Sequence, residues 1–154
     1  MKIAASLVLA AAAVVMASPA SAQFAKPDDA VKYRQSVMYV MSTHFGRIGA
    51  MANGKAPYDA KAAIDNAQIV ATMAKLPWPG FSAESEKATV QNRAKPEVWS
   101  NAAKFKEDGD HLVAETGKLL AAAQTNNLDN LKTAFASTGK ACKSCHDDFR
   151  KEQK

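Results

Sequence analysis

The sequence predicts an all-α chain folded as an antiparallel four-helix bundle, and three observations carry that reading. Apolar residues recur at alternating spacings of three and four through four long stretches, the signature of one helix face. No stretch alternates apolar and polar residues as a half-buried strand would. Turn residues separate the stretches by short or turn-like breaks and one long connection, and short connections join antiparallel neighbours.

Residues 1–22 stand apart from the helices and read as an export signal. Lys2 makes a basic start, Ile3 to Met16 is an apolar and alanine run broken only by Ser6, and Ala20-Ser21-Ala22 is a small-residue cleavage site. The apolar run is shorter than the roughly 20 residues a spanning helix needs, and Ser18 and Pro19 interrupt it. Cleavage before Gln23 and a periplasmic chain without stable membrane anchoring are therefore expected. The remaining residues, 23–154, make one domain of ordinary size.

The first helix opens at Pro27, a favourable first-turn residue, followed by Asp28 and Asp29, which suit the positive helix start. It runs to Ala52 before Asn53-Gly54, with Val31, Arg34, Met38, Met41, Phe45, Ile48 and Ala52 on its seam. The second spans Pro57 to Lys75, with Ala60, Ile64, Ala67, Ala71 and Ala74 on one face, small enough to let a neighbour come close. Leu76-Pro77-Trp78-Pro79-Gly80-Phe81 must break the helix, since its prolines lack amide donors and fix extended backbone. From Ser82 to Lys95 the composition is polar and no period is visible. The third helix starts at Pro96-Glu97 and carries Val98, Ala102, Phe105, Gly109, Leu112, Thr116, Leu119 and Ala123. After Asn126-Asn127, the fourth aligns Leu128, Leu131, Phe135, Thr138, Cys142, Cys145 and Phe149.

That last helix contains Cys142-Lys143-Ser144-Cys145-His146, which reads as a c-type haem attachment site. Two thiols three residues apart can each add across one vinyl group of a single porphyrin, giving two thioethers, and the next residue is histidine, the usual proximal ligand of haem iron. A redox Cys-x-x-Cys is expected near a helix start beside a βαβ pattern, and no strand is predicted there. A structural zinc site wants four ligands, and only His44, His111 and His146 supplement the two cysteines. A disulfide across the short Cys142–Cys145 loop would be strained. The predicted architecture is thus a bundle with one covalently bound haem c in its core, held from the fourth helix.

The mature chain has 19 basic against 15 acidic residues, and two haem propionates would reduce that excess. The charge is spread over every helix and lacks aromatic interleaving, so no nucleic-acid partner is expected. Arg34 interrupts an apolar seam, where an arginine seldom stands unpaired; a propionate at the bundle edge would satisfy it. His44 and His111 have polar neighbours and read as locally bonded rather than as iron ligands.

Cys142 to His146, together with Tyr33-Arg34-Gln35, Leu76-Pro77-Trp78 and Lys95-Pro96-Glu97-Val98-Trp99, in this order and spacing, resemble the class II c-type cytochromes, specifically the cytochrome c′ family, over essentially the whole mature chain. The resemblance implies thioether anchors at Cys142 and Cys145 and a proximal ligand at His146. It places Met38 over the distal face, Met41 in the pocket lining, Arg34, Gln35 and Arg93 at the haem edge, and the Arg150 cation beside the proximal imidazole. It further implies a homodimer, no enzymatic activity, and a five-coordinate high-spin iron that binds nitric oxide or carbon monoxide. The alternative within the same class is a low-spin electron-transfer cytochrome with His146 and Met38 both on the iron, serving a redox partner protein.

Overall fold

The computed structural model describes residues 23–152; the expected export signal, 1–22, lies outside them. Five helices follow in order: α1 (Pro27–Ala52), α2 (Ala60–Met73), α3 (Glu97–Ser100), α4 (Ala102–Gln124) and α5 (Leu128–Phe149). The four long ones form the antiparallel bundle. α1 packs along α2, α2 against α4, α4 along α5, and α5 closes on α1. Among the described residues there is no strand, only an isolated bridge between Ala94 and Arg150.

Local chemistry sets the helix ends. Gly54, at φ +69°, turns the chain out of α1, a backbone region glycine enters without steric cost. α2 starts at Ala60, later than Pro57, because the Asp59 carboxylate caps the Ala62 amide at 2.9 Å. Its buried face is centred on Ala63, Ala67, Val70 and Ala74, leaving Ala60 and Ile64 half-buried, so the small-residue stripe is rotated from the predicted one. Asn127 caps α5 through the Asp129 and Asn130 amides. The predicted third helix is broken at Asn101, whose backbone (φ −121°, ψ 50°) leaves the helical region. The turn before the break holds Trp99, whose indole donates to Phe81 O and Ser82 O at 3.2 and 3.0 Å. α3 thus grips the connection, and α4 carries the bundle.

Ile48, Leu119, Leu131 and Val70 are fully buried and join the four long helices in one core. The core is apolar at the end bearing the α4–α5 turn. Toward the other end it gives way to a cavity walled by aromatic rings. Phe105 meets Phe81 at 4.8 Å, Trp78 at 5.8 Å and Phe149 at 5.2 Å, all edge to face, the geometry favoured by the aromatic quadrupole. Gly109 permits this wall, since a Cβ there would stand 3.0 Å from the Trp78 ring.

The polar connection, which shows no period in the sequence, is ordered by contacts with two helices. Two short 3₁₀ turns, Trp78–Phe81 and Ala83–Lys87, lie against α1. Asp28 accepts from the Thr89 amide and hydroxyl at 2.7 and 2.9 Å and from the Val90 amide, bonds that hold its pKa below the usual carboxylate value. Farther on, Lys95 N donates to Phe149 O at 2.9 Å and Lys151 N to Arg93 O at 2.8 Å. The segment is therefore a strap from the start of α1 to the end of α5.

Candidate functional site

The strap, α1, α4 and the last turns of α5 enclose a cavity of about 720 Å³, within the ~300–1,000 Å³ of sites that take up a cofactor or ligand. Every site residue expected from the sequence lines it: Arg34, Gln35 and Met38 from α1, Arg93 from the strap, and Cys142, Cys145 and His146 from α5. Most of the wall is apolar, with Met41, Phe45, Val70, Trp78, Phe81, Val98, Phe105, Leu112 and Phe149. His44 and His111 are absent from the lining; His44 Nδ1 bonds Asn66 Oδ1 at 2.8 Å and His111 lies 3.7 Å from Glu115.

Spacing explains how α5 presents its three groups. Positions 142, 145 and 146 are three and four apart, hence neighbours on one helical face. They sit in the last turns of α5, where the macrodipole is negative. Burial pushes the Cys142 thiol pKa up, and burial with the Asp108 charge pushes that of Cys145 up to about 11. This is the opposite of a redox Cys-x-x-Cys, which depends on a stabilised thiolate. Among the described residues no three His, Cys, Asp or Glu side chains are grouped to hold a metal ion, so the zinc arrangement lacks its ligands. For His146, desolvation against the wall and then the Arg93 charge lower the pKa. Both favour neutral imidazole, the form that binds a metal.

A cavity with an apolar wall, two neutral thiols and one neutral imidazole on the same face, and cations at its mouth fits a porphyrin with two acidic side chains. Cys142 and Cys145 would hold it, His146 would face its iron, and Arg93 and Arg150 border the opening.

Arg34 has a second role that the sequence did not show. It is 4% exposed, and its Nη1 donates to Gly80 O at 2.5 Å and Ser85 Oγ at 3.0 Å, while Nη2 reaches Asn92 Oδ1 at 3.3 Å. The guanidinium lies over the Phe81 ring, 4.3 Å from its centroid, a favourable cation–π placement. Its burial is thus accounted for by protein groups, and burial lowers its pKa to about 10. Gln35 Nε2 likewise donates to Gln91 O at 3.0 Å. Both residues pin the strap along one edge of the cavity.

Five more donors in the lining are engaged in the same way. Ser42, Trp78, Asn92, Thr116 and Thr138 each donate to a backbone carbonyl. From α1, Met38, Met41 and Phe45 also line the cavity. Met41 is buried and Met38 half-buried, and both pack on the core as well.

Comparison with known proteins agrees with this geometry. The family model described as Cytochrome C′ matches residues 29–150. Cytochrome c′ of Rubrivivax gelatinosus is 47% identical over 130 residues, covering 84% of this chain and all of that protein. That of Alcaligenes xylosoxydans xylosoxydans is 44% identical over 131 residues, covering 85% and 100%. The crystal structure of the Rubrivivax gelatinosus protein superposes with a TM-score of 0.81 at 46% identity, over 84% of this chain and 100% of that one. A leucine-to-alanine variant of cytochrome c′ from Alcaligenes xylosoxidans, solved as a nitric oxide complex, superposes with a TM-score of 0.79 at 43% identity, over 85% and 100%. The chain belongs to the cytochrome c′ family, whose members carry covalently bound c-type haem.

Proposed function

We propose that this chain is an exported, non-enzymatic haem protein that takes up nitric oxide, and carbon monoxide, at an iron with one protein ligand. Cys142 and Cys145 anchor the haem through thioethers, His146 is the proximal ligand, and Met38 is a lid over the distal face. Arg93 and Gln35 meet the haem edge, with Arg34 fixing the strap behind them. The haem supplies an iron that binds diatomic gases; the protein decides which ones.

The observation that supports this reading best is the engagement of six side-chain donors of the lining around an apolar lid. Gln35, Ser42, Trp78, Asn92, Thr116 and Thr138 each have a donor committed to a carbonyl. Bound oxygen develops negative charge and gains from a donor, whereas nitric oxide and carbon monoxide need less help. His146 is the one histidine in the lining, so a peroxidase-like distal histidine is missing from it. Tyr39 and Val40, exposed at 73% and 36% on α1, offer a surface for the homodimer. No helix among the described residues is long and apolar enough to cross a membrane.

Replacing Met38 with alanine tests the reading. As a lid, Met38 must be displaced before a gas enters from its side, and exposing a half-buried side chain of that size costs roughly half of the ~1.5–3 kcal/mol of a fully buried one. Met38→Ala should therefore accelerate nitric oxide binding several-fold to about tenfold and leave the resting iron high-spin, by optical and electron paramagnetic resonance spectra in both oxidation states. A low-spin parent that becomes high-spin in the variant would make Met38 an iron ligand and electron transfer to a redox partner the function.

A further inference from the structure

Asp108 is a buried carboxylate that the site as described leaves unused. It is 7% exposed. Oδ1 accepts from Lys104 Nζ, one turn earlier, and Oδ2 is enclosed with no partner. Enclosing a carboxylate oxygen without a hydrogen bond is costly, so its position calls for a reason.

The register of α4 against α5 shows what it faces. Phe105 meets Phe149 at 5.2 Å, and nearly three turns on, Thr138 Oγ1 donates to Glu115 O at 3.3 Å. Stepping forward on α4 and back on α5 between those contacts brings Asp108 opposite Cys145.

The two ends of the Lys104–Asp108 pair are unequally screened. The lysine side chain is 40% exposed and the aspartate side chain 8%. Water attenuates the ammonium, while the carboxylate acts through the low-dielectric interior. The pair therefore turns its negative end toward the haem-attachment motif.

We propose that Asp108 is a built-in counter-charge for the haem iron, stationed behind the Cys145 anchor, which stabilises the oxidised state and holds the reduction potential down. Oxidation adds one positive charge to the iron, and a fixed negative charge nearby lowers the energy of that state. For unit charges ~10 Å apart at an effective dielectric constant of ~20, the ferric-to-ferrous ratio changes about tenfold or somewhat more; Lys104 reduces this to several-fold. The proposal rests on Cys145 carrying the haem.

Reduction potentials of the purified holoprotein test it, measured by spectroelectrochemistry for the parent, Asp108→Asn, Glu107→Gln and Lys104→Gln. Asp108→Asn should raise the ferrous-to-ferric ratio at a fixed electrode potential several-fold to about tenfold, with the spin-state spectrum unchanged. Glu107→Gln removes the same charge from an exposed neighbouring position and should change the ratio less than twofold, because water screens it. Lys104→Gln, which strips the carboxylate of its partner, should lower the potential. The proposal is overturned if Asp108→Asn shifts the potential no more than Glu107→Gln does. Should Asp108→Asn not fold, an unchanged or raised potential in Lys104→Gln overturns it alone. A parent chain purified without covalent haem would sink the site reading instead, before any potential is measured.

Discussion

Exchanging Cys142 and Cys145 together for alanine is expected to abolish covalent haem retention, so that the denatured chain shows the mass of the polypeptide alone and no haem stain on a denaturing gel. Each single exchange should leave one thioether and hence a stained band. The prediction depends on geometry that the structure supplies: both thiols line one cavity on one helical face, three residues apart. Haem still bound covalently in the double variant would refute the attachment site.

The same exchange should also cost the fold much of its stability. The cavity of about 720 Å³ lies where the lower core would otherwise be. Without the haem, apolar wall residues such as Trp78, Phe105 and Phe149 face water, and a few side chains at ~1.5–3 kcal/mol each amount to several kcal/mol. A domain's whole stability is ~5–15 kcal/mol. A double variant that fails to keep haem by other contacts should therefore melt far lower, or lose cooperative melting, as followed by far-ultraviolet circular dichroism. His146→Ala differs in kind: both thioethers persist, and the change is read in the spectrum of the iron.

Much of this architecture was legible because its signals are local. Pro27 and Asn53-Gly54 bracket α1 as the sequence indicates, and the Cys142 to His146 motif lies within one turn and a half of helix. What was not legible depends on partners remote in sequence. The apolar period continues through Asn101, so the α3–α4 break is invisible until Trp99 is seen donating to Phe81 and Ser82. At α2 two local signals compete, Pro57 as a first-turn residue and Asp59 as a cap, and the Asp59 carboxylate prevails. The strap from Ser82 to Lys95 has no period of its own, and its order comes from Asp28, Arg34 and Gln35 more than fifty residues upstream. Arg34 was marked by its place on an apolar seam, and a buried partner follows from that place; that this partner is the strap itself does not. Asp108 gave no signal, because a charged residue beside a seam position reads as ordinary surface until burial is known.

Replacing Arg34 with methionine is expected to cost about 2–4 kcal/mol, lowering the melting temperature of the holoprotein by roughly 10 °C for a domain of this size. The chain of cause starts at Gly80, where a Cβ would stand 2.8 Å from Ala30 O and 2.9 Å from Arg34 Cβ. Only glycine lets the strap come this close to α1. At that approach Arg34 joins Gly80 O, Ser85 Oγ and Asn92 Oδ1 through two nitrogens of one plane. Methionine fills similar volume and relieves the burial of a charge, but it leaves the Gly80 carbonyl, enclosed against α1, without its donor and unties Asn92 from α1, leaving it bonded only within the strap. The loss should be local before it is global. Amide exchange should quicken across 82–95 while the core around Ile48, Leu119 and Leu131 keeps its protection. Lysine should not rescue it, since a single ammonium cannot reach three acceptors arranged for a planar fork. Because the strap also carries Arg93 past His146, its loosening should widen access to the haem edge and speed entry of small ligands there. Unchanged melting and unchanged exchange in Arg34→Met would show that the strap is held by Asp28 and Gln35 without it.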